Sequence, residues 1–135
     1  MSMTLNERNP NVDIIPVGSA VSTTTAVYPG LFFRKHSRIK NVYFVDQVGI
    51  AKSSSNYQTV TLQDNSATPV AYATVATSGV AAVVNTPLAM PLSVPVGTDL
   101  NEADVPAGTQ LNVSIVGTGT AILTKSILII EWYPL

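Results

Sequence analysis

The chain has 135 residues, with seven Lys/Arg against eight Asp/Glu and a formal charge of −1. That length holds one domain with its own core, and the near-neutral charge gives no general attraction to nucleic-acid phosphates. Charged residues make up 11% and apolar residues 46% of the chain, where soluble domains carry roughly 25% charge, so disorder is excluded and much of the surface must be Ser, Thr, Asn, Gln and aliphatic.

Such a surface suits permanent burial against another subunit. The charge is uneven: residues 1–52 carry six Lys/Arg and three Asp/Glu, residues 53–135 one and five. There is no cysteine, which removes disulfides and thiolate metal sites. The first ten residues lack the apolar stretch of a secretion signal, so none is expected. No apolar run approaches the roughly 20 residues of a membrane helix, so no membrane partner is expected.

In chain order, residues 1–17 read as an extended N-terminal arm, polar as far as Asn9-Pro10-Asn11, with a disordered terminus as the alternative for residues 1–12. Its end, residues 13–17, is apolar and broken by Pro16, which fits an edge strand or a docked arm. Residues 18–135 read as the folded domain. Thr and Val make residues 20–28 a strand, with Pro29-Gly30 as its closing turn. Residues 39–50 form the next strand. Val42, Phe44 and Val48 share one face, interrupted by Asp46, and Tyr43 and Val45 take the other. Residues 57–63 alternate cleanly, with Gln58, Val60 and Leu62 opposite Tyr57, Thr59, Thr61 and Gln63. Residues 70–77 and 80–85 read as two short strands. Alanine would favour helix there, but Val, Thr and Gly79 oppose it. Pro87, Pro91 and Pro95 forbid a regular helix or a central strand, leaving an edge strand or an extended crossover. A short helical turn is expected at 101–105. Residues 110–116 and 120–133 read as a closing β-hairpin around Gly117 and Gly119.

About eight short strands with frequent turn signals predict an all-β sandwich, a single jelly roll first and an immunoglobulin-like sandwich second. The last strand is apolar on both faces. Ile122, Leu128, Ile130 and Trp132 would fill the sandwich. Leu123, Ile127, Ile129 and Tyr133 would meet a neighbouring subunit.

Catalytic chemistry is poorly supplied. The single histidine, His36, has no carboxylate within nine residues, and no Gly-x-Ser-x-Gly elbow exists, so a serine-hydrolase triad would need an Asp brought across the fold. Asp99, Glu102 and Asp104 could offer oxygen ligands to Ca²⁺, but the Asp-x-Asp-x-Asp-Gly pattern is missing and a solvated loop reads better. Gly117-Thr118-Gly119 precedes a strand, which denies it a dinucleotide role. No cofactor, metal or small-molecule substrate is expected. The basic stretch Arg34, Lys35, Arg38 and Lys40 fits a solvated loop or docking onto an acidic protein surface. It lacks the aromatic platform of a nucleic-acid site.

The motif order carries a resemblance. Asn56-Tyr57-Gln58-Thr59-Val60-Thr61-Leu62 is followed by an Ala/Val/Thr region. Then come Pro87-Leu88-Ala89-Met90-Pro91-Leu92, Val105-Pro106-Ala107-Gly108-Thr109-Gln110-Leu111, and Gly117-Thr118-Gly119-Thr120-Ala121 before a long last strand. Over residues 38–133 this resembles the small single-jelly-roll structural proteins of tailed bacteriophages, the decoration or cement proteins of heads. The resemblance implies no catalytic residue. It implies a homotrimer on the outer surface of the head, with the major capsid protein as partner, made in the host cytoplasm and gripping the shell through an arm. The docking candidates are then Asn9, Asn11, Ile14 and Ile15 on the arm and Arg34, Lys35, Arg38 and Lys40 on the basic stretch. The alternative is a receptor- or glycan-binding tail-fibre or adhesin module, for which Tyr28, Phe32 and Phe33 are the best-placed aromatics. An enzyme comes third.

Overall fold

Runs of Val, Ile, Thr and aromatic residues at period 2 favour strands, and the computed structural model of the chain contains ten, with no helix among the described residues. It describes residues 10–18, 25–93, 95–96, 99–120 and 125–135. The strands are β1 (Asn11–Val17), β2 (Thr25–Phe33), β3 (Ser37–Asp46), β4 (Tyr57–Asp64), β5 (Ala71–Ala76), β6 (Leu88–Ala89), β7 (Pro95–Val96), β8 (Asp99–Val105), β9 (Thr109–Thr118) and β10 (Ser126–Pro134).

They form two antiparallel sheets. The first runs β1-β10-β3-β8-β7, with β6 also on β3; the second runs β2-β9-β4-β5. The pairings β1·β10, β2·β9, β3·β8 and β4·β5 are those of one long antiparallel ribbon folded at its middle. The ribbon is rolled so that β10 also meets β3 and β9 also meets β4. That is a jelly roll, the first of the two sandwiches expected.

The core lies between the sheets. Ile15, Val42, Phe44, Leu128 and Ile130 face inward from the first sheet, and Val60, Leu62, Leu111, Val113 and Ile115 from the second. At one end Phe33 meets Trp132 edge-on, with ring centroids 4.9 Å apart and planes at 82°. Gln58, Val60 and Leu62 are buried, as their alternation predicts, and so are Val42 and Phe44. Val48 is not: it is 62% exposed, beyond the end of β3. Asp46 continues the buried row of β3, where it accepts from the amides of Val48 and Gly49 and from the Ser126 hydroxyl. A buried carboxylate is tolerated only with such partners.

Several expectations change. Residues 110–133 are not a hairpin. β9 belongs to the second sheet and β10 to the first, so the chain changes sheets between them. β9 stays on β4 as far as Tyr57↔Thr118, and the departure comes at Gly119, whose φ is +70°. There the Asn56 side-chain carbonyl accepts from the Thr120 amide at 2.8 Å and hydroxyl at 3.0 Å, and a Cβ on Gly119 would lie 2.2 Å from the Ser55 carbonyl. Pro29-Gly30 is not a turn either. β2 runs through it with a register shift, because an edge strand can omit one amide and a bulge absorbs the irregularity. Residues 101–105 are not helical; they belong to β8. Residues 80–85 form no strand, only the bridge Ile50↔Ala82. The proline-spaced segment is a crossover. Leu88–Ala89 pairs with β3, the Pro91 carbonyl accepts from the Thr74 amide, and the Ser93 amide donates to the Tyr72 carbonyl, so it closes the side of the sandwich from one sheet to the other. At the β4–β5 turn, partial burial disfavours the charged form of Asp64. The Val70 amide and the Ser66 hydroxyl and amide outweigh it and hold the carboxyl below its ordinary value.

Of the segment read as an arm, residues 1–9, with Asn9, lie outside the described residues, as do residues 20–24 of the strand expected at 20–28. Asn11–Val17 is the edge strand β1, in register with β10 from Asn11↔Trp132 to Val17↔Ser126.

Candidate interaction surface

Register decides what the outer face of the first sheet shows. Ile15, Leu128 and Phe44 are cross-strand partners and all point into the core, so their neighbours in sequence point out. Two outer rows result. Ile14, Ile129, Tyr43 and Ala89 line up across β1, β10, β3 and β6; Pro16, Ile127 and Val45 line up beside them. Ile14 is 57% exposed, and Ile127, Ile129, Tyr43 and Val45 are half-buried. Neither row contains a charge. Shallow clefts flank the rows. One of about 560 Å³ borders Tyr43 and Ala89, and one of about 320 Å³ borders Val45 and Ile127. A contiguous apolar face of this kind marks an interaction site.

The same face turns polar toward the start of β3. Asn41 donates to Glu131 at 2.9 Å. Beyond it, Arg38 sits beside Tyr133 and Asp104 in the register of β10, β3 and β8. The Tyr133 hydroxyl donates to the Glu102 carboxylate. Burial pushes this phenol up first, the bond to Glu102 adds to the shift, and Arg38 works against it. Asp104 meets His36 Nε2 at 2.5 Å and Arg38 Nε at 3.9 Å.

The structure places the expected site residues other than Asn9 and Leu123. Ile127 and Ile129 lie on the outer face of the first sheet, and Leu123 lies outside the described residues. Tyr133 faces the same way but is buried and spent on Glu102, so it is not free for a partner. Among the docking candidates, Asn11 and Ile14 are exposed. Ile15 is 2% exposed and belongs to the core, because a one-residue step along a strand changes its face. Arg34 and Lys35 are exposed on the β2–β3 loop, Lys40 is half-buried on β3, and Arg38 is turned to Asp104. Of the aromatics proposed for a receptor site, Phe32 is 59% exposed, Phe33 is core, and Tyr28 packs on the core.

Two features were not anticipated. The triad's missing carboxylate does reach His36, from β8. The hydroxyl beside it in sequence is engaged elsewhere: Ser37 Oγ donates to the Lys35 carbonyl at 2.8 Å. The other is Trp132, whose Nε1 donates to Asp13 at 2.6 Å, pinning β1 to β10 from the inner side. Asp13 and Trp132 are 119 positions apart, and only the sheet register brings them together. Among the described residues no group of His, Asp and Glu is arranged to hold a metal ion. Compared with family models, curated proteins and solved structures, the chain matches none.

Proposed function

We propose that this protein is a non-enzymatic structural component of a bacteriophage head. It decorates the outer surface of the shell and stabilises it by binding across joints between major capsid protein subunits. It acts as a homotrimer. The observation that carries the reading is the uncharged apolar outer face of the first sheet, from Ile14 across Ile129 and Tyr43 to Ala89. In water such a face favours association, and at roughly 25 cal/mol per Å² even a modest apolar contact offsets part of the entropy lost on binding. The face serves the contacts between subunits.

Docking falls to exposed polar and basic groups, Asn11, Arg34 and Lys35, with the half-buried Lys40 and residues 1–9. Three such contacts linked in one trimer multiply a weak affinity without any new interaction. Binding only the expanded shell would stabilise that state by mass action. The His36–Asp104 pair does not favour an enzyme, since Ser37 is committed to a backbone carbonyl. The receptor-binding alternative asks for several exposed aromatics, and of its three candidates only Phe32 is widely exposed.

The test is the copy number of this protein in purified particles, relative to the major capsid protein, by quantitative mass spectrometry. One copy per capsid subunit, or a simple fraction of that, supports the reading. A handful of copies per particle moves the protein to a fibre, and absence from particles removes the proposal.

A further inference from the structure

The basic stretch divides into two pairs once it is folded. His36 and Arg38 face Asp104. Arg34 and Lys35 make no ion pair among the described residues, and both line a cleft of about 510 Å³ at the end of the sandwich. Phe32, Trp132 and Pro134 supply its apolar walls. Phe32, at 59% exposed, has no cover of its own.

The Trp132 wall is fixed in advance. Trp132 is held by Asp13 on its indole nitrogen and by Phe33 edge-on to its ring. The loop carrying the cations is tied by Ser37 Oγ to the Lys35 carbonyl. The Leu135 amide, at 2.8 Å from the His36 carbonyl, ties the end of the chain to the same loop. A preorganised site loses little entropy on binding. Two cations with no ion pair among the described residues, beside an aromatic wall, fit a ligand with carboxylates next to an apolar ring.

We infer that this cleft is a recognition site for an extended acidic peptide segment, with an aromatic residue packed on Phe32 and Trp132 and flanking carboxylates on Arg34 and Lys35. The site deepens the proposed function and rests on it for the source of the segment, the shell protein; the cleft itself can be tested without a particle.

Trp132 is the only tryptophan in the chain, so its fluorescence reports occupancy directly. The full chain is titrated with the peptide Gly-Asp-Phe-Glu-Asp-Gly, blocked at both ends, at low ionic strength. Saturable change in Trp132 emission is expected. The combined Arg34→Glu and Lys35→Glu substitutions should weaken binding at least about tenfold, Phe32→Ala about tenfold, and the amide peptide Gly-Asn-Phe-Gln-Asn-Gly should bind at least about tenfold more weakly. All three side chains are exposed, so these variants keep the core intact. No binding, or binding indifferent to either variant, overturns the inference. A change in Trp132 emission with protein concentration alone that Phe32→Ala abolishes and Ile129→Lys does not would make a second copy the occupant and overturn it too. So would a tenfold gain in peptide affinity on Glu7→Lys, which would make the chain's own N-terminal segment the occupant. Loss of the cleft in an otherwise stoichiometric particle component leaves the shell reading standing. A working cleft in a protein absent from particles removes only the shell as the source of the segment.

Discussion

The two outer faces of the sandwich are built from residues of similar strand propensity and differ in how their polar groups are spread. The first sheet shows Ile14, Pro16, Ile127, Ile129, Tyr43 and Val45. The second shows Thr25, Val27 and Phe32 on β2, Gln110, Asn112 and Val116 on β9, Thr59, Thr61 and Gln63 on β4, and Thr74 on β5. Threonine is β-branched like isoleucine and valine, so it fits a pleated strand equally well, and its hydroxyl keeps it at home in water. Strand propensity therefore leaves both faces equally possible as strand surface. The first sheet has unbroken apolar rows, whereas on the second Val27, Phe32 and Val116 are set among hydroxyls and amides, so the second gains less by being covered. Charge is confined to one end of the first face, at Glu131, Arg38, Glu102 and Asp104, so a chain with few charged residues still holds a folded surface.

Four measurements sharpen or break this contrast. The largest effect is expected within β10, where adjacent residues belong to opposite environments. Leu128→Ala should cost about 3–4 kcal/mol of unfolding free energy, as for a fully buried leucine. Ile129→Ala should cost under about 1 kcal/mol in a dilute sample. Denaturant titration of both checks this, and equal costs would mean that the register of β10 is wrong.

The next concerns the corner where the sheets meet. A Cβ on Gly30 would lie 2.5 Å from the Leu111 carbonyl of the second sheet and 2.9 Å from Ile15 Cδ1 of the first. Gly30→Ala should lower stability by about 2–3 kcal/mol, since backbone cannot yield as a side chain can. A thermal shift of under 2 °C would argue against this corner.

Third, Ile129→Lys should weaken self-association at least about 30-fold, because the ammonium would be buried without a partner. Thr61→Lys on the opposite face should change it less than about twofold. Sedimentation equilibrium distinguishes the two. Equal losses would end the assignment of the first sheet to subunit contacts.

The smallest effect is at alkaline pH. The Tyr133 phenol is pushed above its ordinary value, chiefly by burial and then by Glu102. The folded state thus holds this proton more tightly than the unfolded one. The associated stability is present in full below about pH 10, the ordinary tyrosine value, and is lost as pH rises through the raised one. Tyr133→Phe should remove that alkaline loss. A wild-type slope retained in the variant would assign it to another group.

The inward and outward rows of β3 and β4 were legible in the sequence. Tyr43 and Val45 against Val42 and Phe44, and Thr59 and Thr61 against Val60 and Leu62, follow from period 2 alone. The double-sided apolar character of β10 pointed to Ile127 and Ile129. Tyr133 followed the same alternation into the expected interface, yet its hydroxyl found Glu102 of β8, a partner that alternation does not name. Ile15 and Ile14 are adjacent and read as one apolar segment, but the register with Leu128 turns Ile15 inward. The His36–Asp104 contact spans 68 positions and leaves no local signal.

By itself, then, the sequence determined an all-β chain, the alternation of its central strands, the low charge of its surface and the apolar excess of its last strand. These depend on side-chain chemistry and on a repeat of two residues, both local. Tertiary structure alone decided that β9 and β10 part into different sheets, that Pro29-Gly30 is a bulge, and that Asp104 and Glu102 satisfy His36 and Tyr133. It also decided that Ile14, Ile129 and Tyr43 form one face. Each of these depends on which strand lies beside which, and that is set by how the whole ribbon rolls to close its core.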